Sequence, residues 1–152
     1  MNQNFVEEFS KIIIDVSFIL NKPISKNDFE IIDRGIPHKP PTDLPEGKTA
    51  VYTFFCPKEN RFLKIGKAGD RSKARFTSHH YNPGSANSNL AKSLLKDNEL
   101  KNKYNYNEQN IKQWIKENCQ RIDILFDVSL GQFANELFES IFHYKYEPRY
   151  EG

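Results

Sequence analysis

The chain has 152 residues, 38% of them hydrophobic and 28% charged, which suits one domain with its own core. Its first twenty residues carry acidic side chains where a secretory signal is basic, and no apolar stretch has the length of a membrane span. Residues 1–47 hold five Lys and Arg against eight Asp and Glu, whereas residues 48–152 hold seventeen against twelve. The net charge of +2 therefore combines an acidic first part of the chain with a basic second part. The basic part favours a polyanionic partner, and an ordinary solvated surface is the alternative.

The two cysteines, Cys56 and Cys119, are far apart and have no Cys or His at the spacing of metal ligands. A disulfide scaffold and a structural zinc site are therefore not expected. The pattern predicts two buried thiols in a protein of the reducing cytoplasm, with no membrane partner.

Residues 1–47 predict a helical leader. Apolar residues recur at three- and four-residue spacing over 4–20, which indicates an amphipathic helix. This helix is expected to pack on the core, and a homodimer interface is the alternative. Ser25, with Asp28 at the distance of a capping box, predicts the start of a second short helix.

A linker joins the leader to the main domain, residues 48–152. Four prolines lie between residues 37 and 45, and Gly47 follows them. Proline restricts both its own backbone and that of the preceding residue, so this segment is predicted to be extended.

The main domain alternates strand-like and helix-like segments. Runs rich in β-branched and aromatic residues predict strands, and apolar residues at helical spacing predict helices. The predicted elements are strands at 49–56 and 61–66, helices at 70–80, 88–96 and 107–118, a strand at 122–128 and a helix after Ser129 that runs to Tyr146, with a polar loop at 102–107. The predicted fold class is α/β, a small three-stranded antiparallel sheet flanked by helices, with an N-terminal helical extension.

Five residues of the main domain suit the chemistry of phosphodiester cleavage, which needs a cation site, an activated water and positive side chains. Tyr52 and Lys64 lie on adjacent predicted strands and can share one face of a hairpin. Arg75 lies on the next predicted helix, with His79 one turn later. Glu139 lies on an otherwise aromatic and apolar helix face, where an unpartnered carboxylate would cost free energy, so a functional role is favoured.

These residues stand in a pattern that resembles the GIY-YIG nuclease superfamily over residues 49–151. Each short motif is weak alone, but all of them occur in the family's order and at its distances. They are Ala50-Val51-Tyr52, Lys64-Ile65-Gly66 continued by Lys67-Ala68, Arg75 nine residues after Gly66, His79 four residues later, the helix segment 133–139 that ends in Glu139, and Pro148 nine residues after it.

The resemblance implies a metal-dependent endonuclease that cuts DNA to leave a 5′-phosphate and a 3′-hydroxyl. Glu139 would bind Mg²⁺ or Mn²⁺, Tyr52 would activate the attacking water, and Arg75 would bind the scissile phosphate. Lys64 is expected to favour the ionised form of Tyr52 by its positive charge. His79 is expected to orient Tyr52 or to contact phosphate, with His80 as the alternative residue in this role.

Three positions depart from the family pattern. Ala50 replaces the first Gly, which is a mild change on a strand. Lys64 replaces the usual Tyr, as in certain restriction enzymes, so the departure points to a restriction-like branch. Glu151 stands where relatives have Asn; we expect a surface residue there, with an additional metal ligand as the alternative. His143, one turn beyond Glu139, is expected to be a surface residue of the helix rather than a metal ligand.

Further basic residues are expected to contact the DNA backbone independently of sequence. These residues are Lys67, Arg71, Lys73 and Lys92. The expected partner is duplex or branched DNA. Two alternatives stay open at this point: a non-catalytic nucleic-acid-binding module that keeps the fold, and a hydrolase of small phosphodiesters with a closed pocket.

Overall fold

Residues 4–85 and 89–150, which the computed structural model describes, form a four-stranded antiparallel sheet and six α-helices. In chain order they are α1 (Phe5–Ile19), β1 (Phe29–Gly35), β2 (Lys48–Cys56), β3 (Arg61–Ala68), α2 (Lys73–Thr77), α3 (Leu90–Lys96), α4 (Asn98–Tyr104), α5 (Ile111–Asn118), β4 (Gln120–Asp127) and α6 (Ala134–Tyr146). The strand order β1-β4-β2-β3 places β3 at one edge of the sheet. The predicted α/β class is confirmed, whereas the predicted number of three strands is wrong.

The additional strand, β1, comes from the leader. Ser25 and Asp28 close a turn in which the Ser25 N–H donates to the Asp28 carboxylate at 3.0 Å. The chain then continues as β1, which pairs with β4 from Phe29 to Gly35. The predicted second helix is therefore wrong. The Ser-x-x-Asp pattern also suits a tight turn, and pairing with β4 satisfies the backbone that follows it.

Both faces of the sheet are buried. One face packs against α1 and α6 through an aromatic cluster that includes Phe5, Phe9, Phe62, Phe138 and Phe142. Each such side chain contributes about 1.5–3 kcal/mol by leaving water. The amphipathic helix of the leader is thus confirmed, and it packs on the core.

The other face, which we call the site face, packs against α2 to α5. Its sheet residues include Tyr52 and Phe54, and the helices contribute Leu94, Leu100 and Ile115. These residues alternate along β2 with side chains of the opposite cluster, as the two-residue period of a strand requires. The site face thus receives Tyr52, the first residue of the predicted site.

The predicted helix at 70–80 is broken. Helix α2 ends at Thr77, and a short 3₁₀ turn at His79–Tyr81 follows. The predicted loop at 102–107 is also partly helical, because the Asp97 side chain caps α4 and accepts from the Leu100 N–H at 3.2 Å. A local side-chain cap therefore begins a helix that apolar periodicity alone does not locate.

The start of α6 lies later than predicted. Ser129 does not cap it; this residue lies in a 3₁₀ turn at Val128–Leu130, where its N–H donates to Asp127 at 3.0 Å. Helix α6 begins at Ala134 and reaches Tyr146 as predicted. This turn spaces α6 so that its apolar residues cover the sheet.

Cys56 and Cys119 are free and buried, as predicted, and burial raises the pKa of both thiols. None of the helices found over residues 4–85 and 89–150 is long and apolar enough to cross a membrane.

Candidate active site

A cleft of about 250 Å³ opens beside the edge strand β3. Tyr52, Lys64, Arg75 and Glu139 line it, and they come from β2, β3, α2 and α6 respectively. The remaining lining residues are Ile65, Gly66 and Lys67. Four of the five residues predicted to be catalytic therefore meet at one place, although Tyr52 and Glu139 lie 87 residues apart in sequence. His79 does not line this cleft.

Tyr52 reaches the cleft by crossing β3 at Gly66, which is its cross-strand partner. A Cβ atom at Gly66 would lie 2.7 Å from Cε1 of Tyr52 and closer still to the phenol oxygen. Real Cβ contacts of this kind do not occur, so a glycine is required wherever the ring takes this path. Tyr52 is 3% exposed and lines the cleft.

Glu139 approaches from the opposite face of the sheet, past β3. Two side chains hold α6 on this strand, one turn before Glu139 and one turn after it. Asn135 Nδ2 donates to the Ala68 carbonyl at 3.3 Å, and His143 Nε2 lies 2.6 Å from the Ile65 carbonyl, to which it donates. We call Asn135 and His143 the α6 clamp. His143 is half-buried and uses Nε2 for the backbone, so it is neither a plain surface residue nor positioned with that nitrogen toward a metal.

Arg75 is exposed on α2, a helix of five residues. The neighbouring Phe76 is completely buried and anchors the helix on the site face. The Phe76 carbonyl accepts a hydrogen bond of 2.6 Å from the buried Arg121. Arg75 thus lines the cleft, and a hydrogen bond from Arg121 of β4 connects its helix to the sheet.

The histidine beside Tyr52 is His80 rather than His79. Its ring centroid lies 4.6 Å from that of Tyr52, and the residue is 2% exposed. Prediction from spacing favoured His79 because it assumed a continuous helix, and the break after Thr77 rotates the two histidines. His79 itself is half-exposed.

The tautomer of His80 follows from its hydrogen bond. The Leu90 N–H donates to Nδ1 at 3.3 Å, so the proton of the neutral ring is on Nε2. Within residues 4–85 and 89–150, this Nε2 has no hydrogen-bond partner. Burial lowers the pKa of His80 well below its ordinary value, and the nearby Lys64 and Arg121 add to the effect. A neutral N–H donor is therefore held next to Tyr52 without a partner among the described residues.

The electrostatics of Tyr52 differ from the expectation. Burial raises the pKa of Tyr52, and the charges that oppose this rise are Arg75 and Arg121. Lys64 is itself buried, and burial lowers its pKa while Glu139 opposes the change. The cation that sequence reasoning missed is Arg121. Its signal was Arg121 and Asp123 at alternate positions of an apolar strand, on the face that carries Tyr52.

A second cleft of about 450 Å³ shares Lys67 and Arg75 with the first. Lys67 also approaches Glu136 at 4.0 Å, and Lys73 pairs with Asp43 at 2.6 Å. The other residues that line this cleft are mainly small or polar: Thr49, Gly69, Asp70, Ser72, Val128, Gly131, Gln132, Asn135 and Glu136. Lys67, which is predicted to contact DNA, therefore lines both clefts.

The remaining basic residues lie farther out. Arg71 is exposed between Asp70 and Ser72, both of which line the second cleft. Lys92 is half-buried at the start of α3 and lines neither cleft. Glu151, at the position of the family's Asn, lies outside the described residues.

The chemistry of the cleft fits a hard divalent cation that is held partly by substrate. Among residues 4–85 and 89–150, no three His, Cys, Asp or Glu side chains converge as a ready-made metal cage. Mg²⁺ usually keeps several waters and binds through one or two carboxylates together with substrate phosphates. Glu139 supplies one carboxylate, and Lys67 and Arg75 of the same cleft can hold a phosphate.

Comparisons of the chain with protein-family models, with curated proteins and with solved structures find no match. The resemblance to GIY-YIG nucleases therefore rests on the motifs and on the cleft in which their residues meet.

Proposed function

We propose that this protein is a GIY-YIG-type endonuclease that hydrolyses phosphodiester bonds in DNA with the help of Mg²⁺ or Mn²⁺. The convergence of Tyr52, Lys64, Arg75 and Glu139 on one cleft carries the proposal. Four elements supply these side chains, and a purely structural role for each does not explain why all four share one solvent-facing cleft. Perturbed pKa values in a cleft are typical of functional sites.

Arg75 binds the scissile phosphate in this proposal. Its guanidinium is exposed to the cleft, and its planar donors suit two phosphate oxygens. The charge that builds on these oxygens in the transition state is stabilised by donors that are already in place. Lys67, which lies on the wall between the two clefts, adds a second positive charge along the substrate backbone.

Tyr52 and Lys64 together activate the attacking water. Because burial raises the pKa of Tyr52, its hydroxyl is protonated near neutral pH and cannot act alone as a base. Burial lowers the pKa of Lys64, so its neutral amine forms at a lower pH than that of a free lysine. We assign Tyr52 to orient the water and Lys64 to take up the proton that the water loses.

Glu139 would hold the divalent cation. Bound there, the cation would neutralise charge on the phosphate and on the leaving oxygen. The α6 clamp keeps the Glu139 carboxylate at the cleft. The second cleft continues the first across Lys67 and Arg75, which favours a polymeric substrate over a small phosphodiester.

The experiment is nicking of supercoiled plasmid by the purified protein in Mg²⁺ or Mn²⁺, with branched and single-stranded DNA tested in parallel. Glu139→Gln removes the charge with little change in shape, and we expect it to lower the rate at least about 100-fold. Glu108→Gln is the matched control, because Glu108 is an exposed carboxylate that lines neither cleft. Its rate should stay within about threefold of the wild type.

Full activity in Glu139→Gln would refute the metal assignment. No cleavage of any DNA form by the wild-type protein would refute the enzyme. Salt-dependent DNA binding without cleavage would then favour a non-catalytic binding module with the same fold.

A further inference from the structure

A buried arginine lies behind the cleft. Arg121 of β4 is fully buried, and each of its three nitrogens donates a hydrogen bond. Nε donates to Asp123 at 2.9 Å, Nη1 to the Tyr81 hydroxyl at 3.0 Å and Nη2 to the Phe76 carbonyl at 2.6 Å. Asp123 is also fully buried and accepts from Arg34 at 2.5 Å. Well-packed apolar residues are often as stabilising as such buried ion pairs, so stability alone does not account for the cluster.

The bond to Phe76 ties Arg121 to the helix that carries Arg75. Helix α2 has only five residues, and its first residue is not capped by the Ser72 side chain. A helix this short is not stable by itself in water. The Phe76 carbonyl lies in its last turn, where the helix supplies no backbone donor, and a cation is favourable at this end. Arg121 therefore supplies the missing donor and the favourable charge.

The same guanidinium lies beside Tyr52. Its Cζ atom is 5.8 Å from the centroid of the Tyr52 ring and 5.1 Å from that of Phe76. Tyr52 is also the cross-strand partner of Asp123, the carboxylate that orients Arg121. A shift of Arg121 would thus change the surroundings of Tyr52 and of Arg75 at the same time.

The network continues into the leader, and its hydrogen-bond directions are fixed. His38 Nδ1 lies 2.6 Å from the Cys119 carbonyl, which can only accept, so this nitrogen carries the proton. His38 Nε2 then accepts from the Tyr81 hydroxyl at 2.8 Å, and that hydroxyl in turn accepts from Arg121. Arg121 is thereby braced on the side away from the cleft.

The geometry points to Arg121 as a positioning residue of the proposed nuclease site, which holds Arg75 through α2 and confines Tyr52 without touching the substrate. This inference rests on the proposed function. Part of its test is independent of cleavage, so the two can fail separately.

The test uses Arg121→Lys, which keeps the positive charge and loses the planar guanidinium that reaches Phe76. Hydrogen exchange should become at least about tenfold faster at the amides of α2, while the amides of β2 and β4 keep their protection. The value of kcat should fall about 100-fold because a displacement near 1 Å has effects of this size. KM for DNA should stay within about threefold, since the groups that bind the backbone remain.

Arg149→Lys is the matched control. Arg149 also pairs with a carboxylate, Asp97, at 2.7 Å, and it lines neither cleft. This variant should leave both kcat and the exchange of α2 unchanged. Should Arg121→Lys fail to fold, Tyr81→Phe removes a single partner of Arg121 and keeps the ring, and a smaller loosening of α2 is expected.

Two results would overturn the inference. One is that the amides of α2 exchange hydrogen in Arg121→Lys at the rate of the wild type. If the lysine variant does not fold, the same result in Tyr81→Phe would count equally. The other is a loosened α2 with unchanged kcat. Absence of cleavage by the wild-type protein would count against the proposed function instead, and exchange of α2 would still decide whether Arg121 holds this helix.

Discussion

Gly66 shows how one residue determines the shape of the site. It lies where the Tyr52 ring crosses β3, and no side chain fits between the strand and the ring. The glycine of the second half of the family motif thus has a steric reason in this protein. It allows the side chain of a residue on an inner strand to reach the cleft at the edge of the sheet.

Gly66→Ala should therefore destabilise the protein and inactivate the site. Overpacking of this kind costs about 1–3 kcal/mol, and relief of the clash must move Tyr52. Thermal unfolding measures the first effect and plasmid nicking the second. Gly84→Ala is the control, because a Cβ atom there meets nothing within 4 Å. Wild-type stability and activity in Gly66→Ala would show that the ring does not take this path.

His38 makes the stability of the protein depend on pH. Burial lowers its pKa from 6.5 to about 4, so the unfolded chain takes up the proton first as the pH falls. The stability that neutral His38 provides is complete above pH 6.5 and is lost as the pH falls to about 4, in total about 3 kcal/mol.

Urea unfolding between pH 7 and pH 4 measures this dependence. In His38→Asn, which cannot titrate but retains a donor for the Cys119 carbonyl, the decline should be shallower by about 3 kcal/mol. His79→Asn should behave like the wild type, since His79 is half-exposed and outside the network. Equal declines in the wild type and His38→Asn would contradict the prediction.

Residue types and spacing predicted much of the site. Tyr52, Lys64, Arg75 and Glu139 were found from motifs, and the structure brings them to one cleft. His80 was named only as the alternative to His79, and Arg121 was not found. The choice between adjacent histidines depends on where a helix breaks, and the role of a buried arginine depends on contacts that are remote in sequence.

At the scale of elements, α6 is the part whose position matters most for chemistry. The helix packs on one face of the sheet while its Glu139 serves a cleft on the other side of β3. The α6 clamp holds the helix against β3 with one hydrogen bond on each side of Glu139, which keeps the carboxylate at the cleft.

Removal of the clamp should weaken metal binding. Substitution of residues that support a metal ligand typically lowers affinity or activity about 10- to 100-fold. We expect a loss of about this size in His143→Phe and in Asn135→Leu. The measurement is the Mg²⁺ concentration at half-maximal nicking. His143→Gln retains an N–H donor and should recover most of the affinity. The same half-maximal concentration in His143→Phe would exclude a positioning role for this histidine.

The elements themselves could be predicted where periodicity is strong. Helix α1 and strand β2 follow their patterns closely, and helix α5 ends where predicted but begins four residues later, at Ile111. Strand β1 was missed because its turn has the residue pattern of a helix start, and its pairing with β4 is a contact across most of the chain. Helix α4 was missed because its sequence is polar, and it depends on the Asp97 cap.

For the whole molecule, the leader is part of the same layered structure as the motifs. It supplies α1 to the aromatic cluster, β1 to the sheet, and Arg34 and His38 to the network behind the cleft. Residues 48–152 contain the segments that resemble the GIY-YIG motifs, yet much of their apolar surface is covered by residues before them.

A chain of residues 48–152 alone should therefore fail to fold, as measured by circular dichroism and size-exclusion chromatography. Within the full chain, Phe9→Ala should cost about 3–5 kcal/mol, because Phe9 is fully buried against Phe62 and Phe142. Phe18→Ala is the control on the same helix, since Phe18 is 75% exposed. A cooperative, native-like transition in the shortened chain would show that the leader is dispensable.

The hydrogen bonds along β3 have a further consequence for self-association. An outer strand with free carbonyl and amide groups invites strands of other molecules, and aggregation follows. In this protein the carbonyls of Phe62, Leu63, Ile65 and Ala68 are occupied by donors from Arg149, Tyr150, His143 and Asn135 respectively. A foreign strand thus finds few acceptors beside the cleft. The contacts that hold Glu139 in place also let the protein keep the proposed active site at the rim of its sheet without templating intermolecular β-structure there.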